Sequence, residues 1–412
     1  MEQKIRVYGA HWCPDCRRCK QLLGEHQIPF QSIDIEKDSE AEKFVLEKNQ
    51  GKRLIPLIVF PDDSFLVDPS NAELAARLGL KTEAARRHYD LIIIGGGPAG
   101  LTAAIYGARD ALETLVIERA TFGGQAAGTE TLDNMPGFPT GIDGLEFSNR
   151  LRQQAERSGV ELLQTQEVAR IYKKNLYSCV ETSDGNNYSA RALLITSGST
   201  YQRLDVPGED EYTGAGVHFC ATCDGPFYKG KQVAVIGGGN SAAEEGLLLT
   251  RFADPVTMVV RRGELKATGI IQESLQKNPK IKFRWHTEVK AFIGEQGRLK
   301  KLKLRNNQTE IEEEMEVDGA FVFIGLVPNT DFLKESGLIL DRWGFIVTGP
   351  TLLQQGGKPE GFEKRDPFLL ETSLPGIFAA GDVRAGSTKQ VVSAAGEGGS
   401  AALMIREYLK EV

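Results

Sequence analysis

The chain has 412 residues, enough for two or three domains that each bury a core. Its one compositional excess is 45 glycines, set in short runs such as Gly95-Gly-Gly97, Gly237-Gly-Gly239 and Gly396-Glu-Gly-Gly399 that let backbone pack close to ligands. A net charge of −7 argues against nucleic acid or an anionic membrane as partner, and no run of about 20 apolar residues is present for a membrane span.

The first residues, Met1 to Arg6, lack the apolar core of a secretory signal, so a cytoplasmic protein is expected. In a reducing compartment two Cys-x-x-Cys pairs among six cysteines read as catalytic or metal-binding. Residues 1–80 read as a small α/β unit. Ile5–Tyr8, Pro29–Ile35 and Leu57–Phe60 are strands, Cys16–Leu23 is a helix, and Ser70 with Glu73 forms a capping box. Cys13, Cys16 and Cys19 stand three apart, but no fourth ligand is evident, so Cys19 is expected to be a small buried thiol. Residues 81–88 are a polar, helix-prone linker. A new domain starts at Tyr89.

Tyr89–Ile94 is a buried strand, followed by the turn Gly95-Gly-Gly97-Pro98-Ala99-Gly100 and a helix to Arg109. Such a turn lets backbone approach a pyrophosphate, which the N–H groups at the helix N-terminus stabilise. The strand Leu115–Glu118 ends in an acid able to bond a ribose. The same plan returns in Gln232–Ile236, Gly237-Gly-Gly239-Asn240-Ser241-Ala242 and the helix beyond. After the strand Pro255–Val260, however, Arg261, Arg262 and Lys266 stand where an acid would hold the ribose hydroxyl. Cations there favour a 2′-phosphate, hence NADPH over NADH. Leu374–Asp382 reads as a strand ending in a glycine and an acid, Asp382, that can bind a ribityl hydroxyl. The helix after Gln390, from Val391, then points its N-terminus at an electron-rich ring. One flavin (FAD) and one exchangeable nicotinamide (NADPH) together give a hydride a path to the dithiol in Cys220-Ala-Thr-Cys223-Asp224. His218 and Cys179 are expected to be structural, and residues 353–367 a surface loop.

From Tyr89 to its end the chain resembles the low-molecular-weight thioredoxin reductases. The resemblance rests on the two glycine turns, Gly123-Gly124-Gln125, Asn134-Met-Pro-Gly137, Cys220 to Asp224, Arg261-Arg262, Gly325 to Thr330 and Gly381-Asp382. It implies three-layer Rossmann-like domains, with FAD bound by residues 89–200 and 325–412 and NADPH by an inserted 201–324 that carries the dithiol. It further implies Cys223 against the flavin, Cys220 attacking the acceptor, Asp224 as acid and base, and a homodimer. Gly124, Gln125 and Asn134 join the FAD-binding set on the same ground. Val260 and Lys266 depart from the family's usual histidine and arginine.

Residues 1–80 resemble the glutaredoxins, and more loosely the thioredoxins, through Trp12-Cys13-Pro-Asp-Cys16 and Leu54-Ile-Pro56. This implies a thioredoxin fold with Cys13 at a helix start, where the dipole lowers a thiol's pKa. Cys16 is then placed to close a disulfide, Pro56 is cis, and Asp15 opposes a thiolate. Leu66-Val-Asp-Pro69 replaces the family's Gly-Gly, so glutathione does not carry over.

The expected function is an NADPH-dependent disulfide reductase passing electrons through FAD and Cys220/Cys223 to Cys13/Cys16, then to a protein disulfide or low-molecular-weight thiol adduct. The alternatives are a reductase serving a separate thioredoxin or peroxiredoxin, and a redox-responsive binding protein with a metal or iron–sulfur site.

Overall fold

The computed structural model describes residues 4–10, 13–25, 28–79, 83–129 and 131–411. Trp12 and the first two linker residues, 81 and 82, lie outside them. Residues 4–79 form β1 (Ile5–Gly9), α1 (Pro14–Glu25), β2 (Phe30–Asp34), α2 (Ser39–Lys48), β3 (Leu57–Val59), β4 (Phe65–Val67) and α3 (Asn71–Arg77). The sheet order is β2-β1-β3-β4, with β1 parallel to β2 and antiparallel to β3. Alternation along β1 sends Val7 to one face with Leu22, Leu23, Ile58 and Leu74. Tyr8 goes to the other, with Val45 and Leu57. Both faces are therefore covered. The capping box forms, Ser70 accepting from the Glu73 N–H at 3.2 Å while Glu73 accepts from the Ser70 N–H at 2.8 Å.

The linker does not continue as a helix. In residues 83–87 the Ala84 N–H donates to the Tyr188 hydroxyl (3.2 Å) and the Ala85 N–H to the Glu161 carboxylate (2.6 Å). Side chains of the following sheet thus take two of the donors a helix would pair internally.

That sheet is built on β5 (His88–Ile94), α4 (Pro98–Arg109) and β6 (Thr114–Glu118). Parallel pairing joins Glu161–Gln164, β6, β5, Asn187–Ile195 and Ile377–Ala379, and an antiparallel pair, Tyr177–Thr182 and Val168–Lys174, extends one edge. Leu91 and Ile93 face a core shared with α4 and the helix Val391–Glu411. Ile92 and Ile94 face the opposite core, with Leu333, Ile346 and Val383. A strand buried on both sides reads as a continuous apolar run. A second parallel sheet orders Val217–His218, Gly319–Val322, Val233–Ile236, Val256–Val260 and Ile281–Trp285, and a three-stranded antiparallel sheet spans residues 287–316. Met1–Gly128, Asp143–Gly198 and Pro328–Val412 form one compact unit, and Thr129–Ile142 with Ser199–Val327 the other.

Residues 353–367 are not merely a surface loop. They begin inside the helix Pro350–Gly356, and Phe362 is fully buried. Arg365 makes two bonds to Glu371 (2.6 and 2.7 Å), itself 0 % exposed, beneath the rings of Phe362, Phe368 and Tyr408. Arg365→Leu strands that carboxylate and should cost about 3 kcal/mol. Arg365→Lys should recover only part, since an ammonium lacks the fork geometry. Urea unfolding midpoints of the three proteins check this.

Candidate active site

The strand Val217–His218 leads into Cys220, which caps the short helix Ala221–Asp224. Cys220 and Cys223 form a disulfide with Cα atoms 5.4 Å apart, and the Cys223 N–H donates to the Cys220 sulfur at 3.1 Å. Both cysteines are half-buried, and the Asp224 side chain keeps 26 % of its surface exposed. Asp224 Oδ2 stands 3.3 Å from Nδ1 of His218, whose Nε2 lies 2.6 Å from the Tyr228 hydroxyl. His218 is buried. Burial, reinforced by the negative charges of Asp224 and Asp318, pushes the Tyr228 phenol up to about 12. Sequence reasoning missed this line of groups. Its one local signal was the four-residue step from Asp224 to Tyr228, a single helical turn.

In the first unit, β5 runs into Gly95–Gly97 and α4. A Cβ on Gly100 would fall 2.0 Å from the Gly95 carbonyl oxygen, so only glycine fits there. A Cβ on Gly97 would meet nothing within 4 Å, and the α4 N-terminus, Pro98 and Ala99 included, has no side-chain cap. Glu118 is buried, which raises its carboxyl pKa, while the N–H groups of Gly96 (2.7 Å) and Ala120 (2.8 Å) bond its two oxygens. Each oxygen retains a lone pair for a hydroxyl. Burial likewise raises the Asp382 carboxyl pKa, against the pull of nearby Lys389. Glu397 holds the Gly381–Asp382 turn to the last helix, accepting from the Gly381 N–H (2.7 Å) and from Arg384. Gln390 directly precedes that helix, which starts at Val391. Gly124 and Gln125 lie exposed on a short helix, whereas Asn134 belongs to the segment Thr129–Ile142 of the second unit.

The second unit repeats the arrangement at Gly237–Ala242. A Cβ on Gly239 would again meet nothing, and the helix Asn240–Leu249, which carries Ser241 and Ala242 in its first turn, has no side-chain cap. The Lys266 N–H donates to the Gly238 carbonyl (2.7 Å) and the Thr268 N–H to Asn240 Oδ1 (2.9 Å), which draws the loop of cations against the turn. Arg261, Arg262 and Lys266 are exposed. Among the described residues, none forms an ion pair with them.

Cys13 and Cys16 form the other disulfide, and here too the inner N–H, that of Cys16, donates to the outer sulfur at 3.1 Å. The Ile55–Pro56 bond is cis, and Ile55 packs on the pair. Asp15 is paired with Arg18 at 3.1 Å, which offsets its opposition to a thiolate. Cys19 points into the core, and burial pushes its thiol up to about 11.

Residues 89–398 match the family model of the pyridine nucleotide-disulphide oxidoreductases, and residues 5–65 match that of the glutaredoxins. The chain is 40 % identical over 324 residues to the thioredoxin reductases of Bacillus subtilis (79 % of this chain, 96 % of that protein) and of Listeria innocua (79 % and 95 %). It belongs to the thioredoxin reductase family. Among solved structures, thioredoxin reductase from Streptococcus pyogenes is similar at a TM-score of 0.71 and 36 % identity, covering 80 % of this chain and 100 % of that one. The enzyme from Giardia duodenalis is similar at 0.71 and 32 %, covering 79 % and 100 %.

Thioredoxin reductases use FAD and NADPH. The residues present fit such groups. Two helix N-termini lack side-chain caps, each flanks a glycine facing open space, and the second adjoins three cations that form no ion pair among the described residues. Gly97→Ala should fold normally yet hold flavin at least about tenfold more weakly, by filling space a phosphate needs. Gly100→Ala should fail to fold the first unit. Flavin absorbance per polypeptide and thermal melts separate the two.

Cys19 and Cys179 are buried free thiols, out of reach of reagent in the folded chain, and the Cys19 thiol, pushed up to about 11, stays neutral at pH 8. The oxidised native protein should take up no alkylating reagent at pH 8. After denaturation without reductant it should take up two equivalents, read by mass spectrometry.

Proposed function

We propose that this thioredoxin reductase carries its own acceptor, with Cys220–Cys223 reducing Cys13–Cys16 and that pair reducing a disulfide in a protein or a low-molecular-weight thiol adduct. The observation that carries the reading is the recurrence, on one chain, of two disulfide-forming Cys-x-x-Cys pairs of like local geometry, one in a glutaredoxin domain. When bound, NADPH and FAD supply the two electrons that open Cys220–Cys223. Gly95, Gly97, Gly100, Glu118, Asp382 and the start of the last helix hold the flavin nucleotide. Gly237, Gly239, Ser241 and the cations at 261, 262 and 266 hold NADPH.

The remaining chemistry belongs to the chain's own residues. Cys220, at a helix N-terminus, is favoured as thiolate and attacks the acceptor disulfide. Asp224 protonates the sulfur that leaves. Cys223, bonded through its N–H to the Cys220 sulfur, resolves the mixed disulfide. Typical thioredoxin and glutaredoxin potentials differ by roughly 50 mV, about 2.3 kcal/mol for two electrons, so a glutaredoxin-like Cys13–Cys16 is the more downhill acceptor. A cytoplasmic homodimer suits this chemistry, and among the described residues no helix is long and apolar enough to cross a membrane.

Replacing Cys13 and Cys16 by serine should abolish NADPH-driven reduction of the final disulfide substrate while flavin bleaching by NADPH persists. Undiminished substrate turnover would show that Cys220–Cys223 serves an outside partner directly. Arg261→Leu with Arg262→Leu should raise the KM for NADPH by about 10- to 100-fold and leave that for NADH nearly unchanged, the exposed pair together contributing about 1.4–2.8 kcal/mol to phosphate binding.

A further inference from the structure

A carboxylic acid that gives its proton to a departing thiolate must recover one before the next turnover. Asp224 reaches such a source on its inner side. His218 packs between the rings of Tyr228 (5.4 Å, edge-on) and Phe321 (5.2 Å), with Nδ1 3.3 Å from Asp224 and Nε2 2.6 Å from the Tyr228 hydroxyl. Chemistry fixes where the protons sit. An ionised carboxylate only accepts, so Nδ1 carries the hydrogen and Nε2 takes the phenolic O–H. The phenol keeps that proton up to about 12. The other charged groups acting on this end of the line are Asp318, Arg298 and Lys231, the last with its ammonium 5.5 Å from the Tyr228 ring centre.

We propose that His218 is a positioning residue that holds Asp224 toward the sulfurs and refills it with a proton, Tyr228 being the far end of the relay. This rests on the reading of Cys220–Cys223 as the dithiol that reduces an acceptor. The Cys220 thiolate attacks the acceptor disulfide, forms a mixed disulfide and expels the first acceptor thiolate, which takes the Asp224 proton. Asp224 then removes the Cys223 proton as that sulfur attacks Cys220. The closing Cys220–Cys223 bond expels the second acceptor thiolate, and Asp224 protonates it. Two electrons have passed from the dithiol to the acceptor, and Asp224 ends ionised, one proton short. That proton moves from Nδ1–H of His218 to Oδ2, while Nε2 takes the Tyr228 proton and water resupplies the phenol.

The test uses the full-length holoprotein with Cys13 and Cys16 replaced by serine, so that only Cys220 meets the acceptor. The protein is cycled anaerobically with excess NADPH against an alkyl disulfide, whose leaving thiolates need a proton, across roughly pH 6 to 9, and turnover is read from NADPH absorbance. His218→Gln can bond both neighbours but cannot ionise, and His218→Phe can do neither. Both should slow exchange roughly tenfold, and His218→Gln should remove one ionisation from the pH–rate profile. His218→Gln with the parent's rate and profile would overturn the relay, leaving a bridge that any amide can make. A loss equal at every pH would overturn it too, as structural damage. Failure of the parent itself to reduce the disulfide would instead overturn the dithiol reading, and this proposal with it.

Discussion

An α-helix leaves its first N–H groups without intrahelical partners, and the chemistry of this chain is assembled on that deficit. Four helix starts are involved, at Pro14, Pro98, Ala221 and Asn240. Two place a sulfur over the donors, Cys13 and Cys220 each accepting from the inner cysteine's N–H at 3.1 Å. The other two lack side-chain caps and start at glycines that face open space. One electrostatic property can therefore serve thiolate and phosphate alike. What distinguishes the sites is the residue before the helix: a cysteine brings its own anion, and a glycine leaves room for one from outside.

Turns of the first unit are held in place by carboxylates that are buried or largely so. Glu118 accepts from the Gly96 N–H, Glu397 from Gly381, and Glu371 from both Phe368 and Gly376. A buried charge is costly unless its lone pairs are filled. Two of these acids also carry an arginine, Arg384 on Glu397 and Arg365 on Glu371. Glu118 has backbone donors alone, and burial raises its pKa. The least compensated of the three is thus the acid at the turn where a ribose hydroxyl can add another donor.

The strands, both glycine turns and both dithiols were legible in the sequence because each needs particular residues at fixed, short spacing. Elements fixed by distant partners were not. Residues 83–87 looked helix-prone, and what prevents the helix is Tyr188 and Glu161, about 76 to 104 positions away. The stretch around Phe362 looked like a loop by composition, and one bidentate pair with three aromatic rings turns it into core. The contacts of His218 were hidden as well, because a strand-to-helix turn folds Asp224 and Tyr228 back onto it.

The pinned linker bears on how the relay would be organised. Fusing an acceptor to its reductase replaces a bimolecular encounter by an effective concentration on the order of mM, provided the tether spans the gap. Here the tether is short: α3 ends at Arg77 and the chain is fixed to the sheet again by Ala84. Seven residues reach at most roughly 25 Å when fully extended. Within that radius the effective concentration is high, and beyond it the benefit vanishes. In the proposed relay, tether length would thus select which dithiol Cys13–Cys16 can meet, in its own subunit or in that of a dimer partner, before affinity between the surfaces has any part. A longer flexible linker would weaken that selection, since the effective concentration falls with tether length once the span is exceeded.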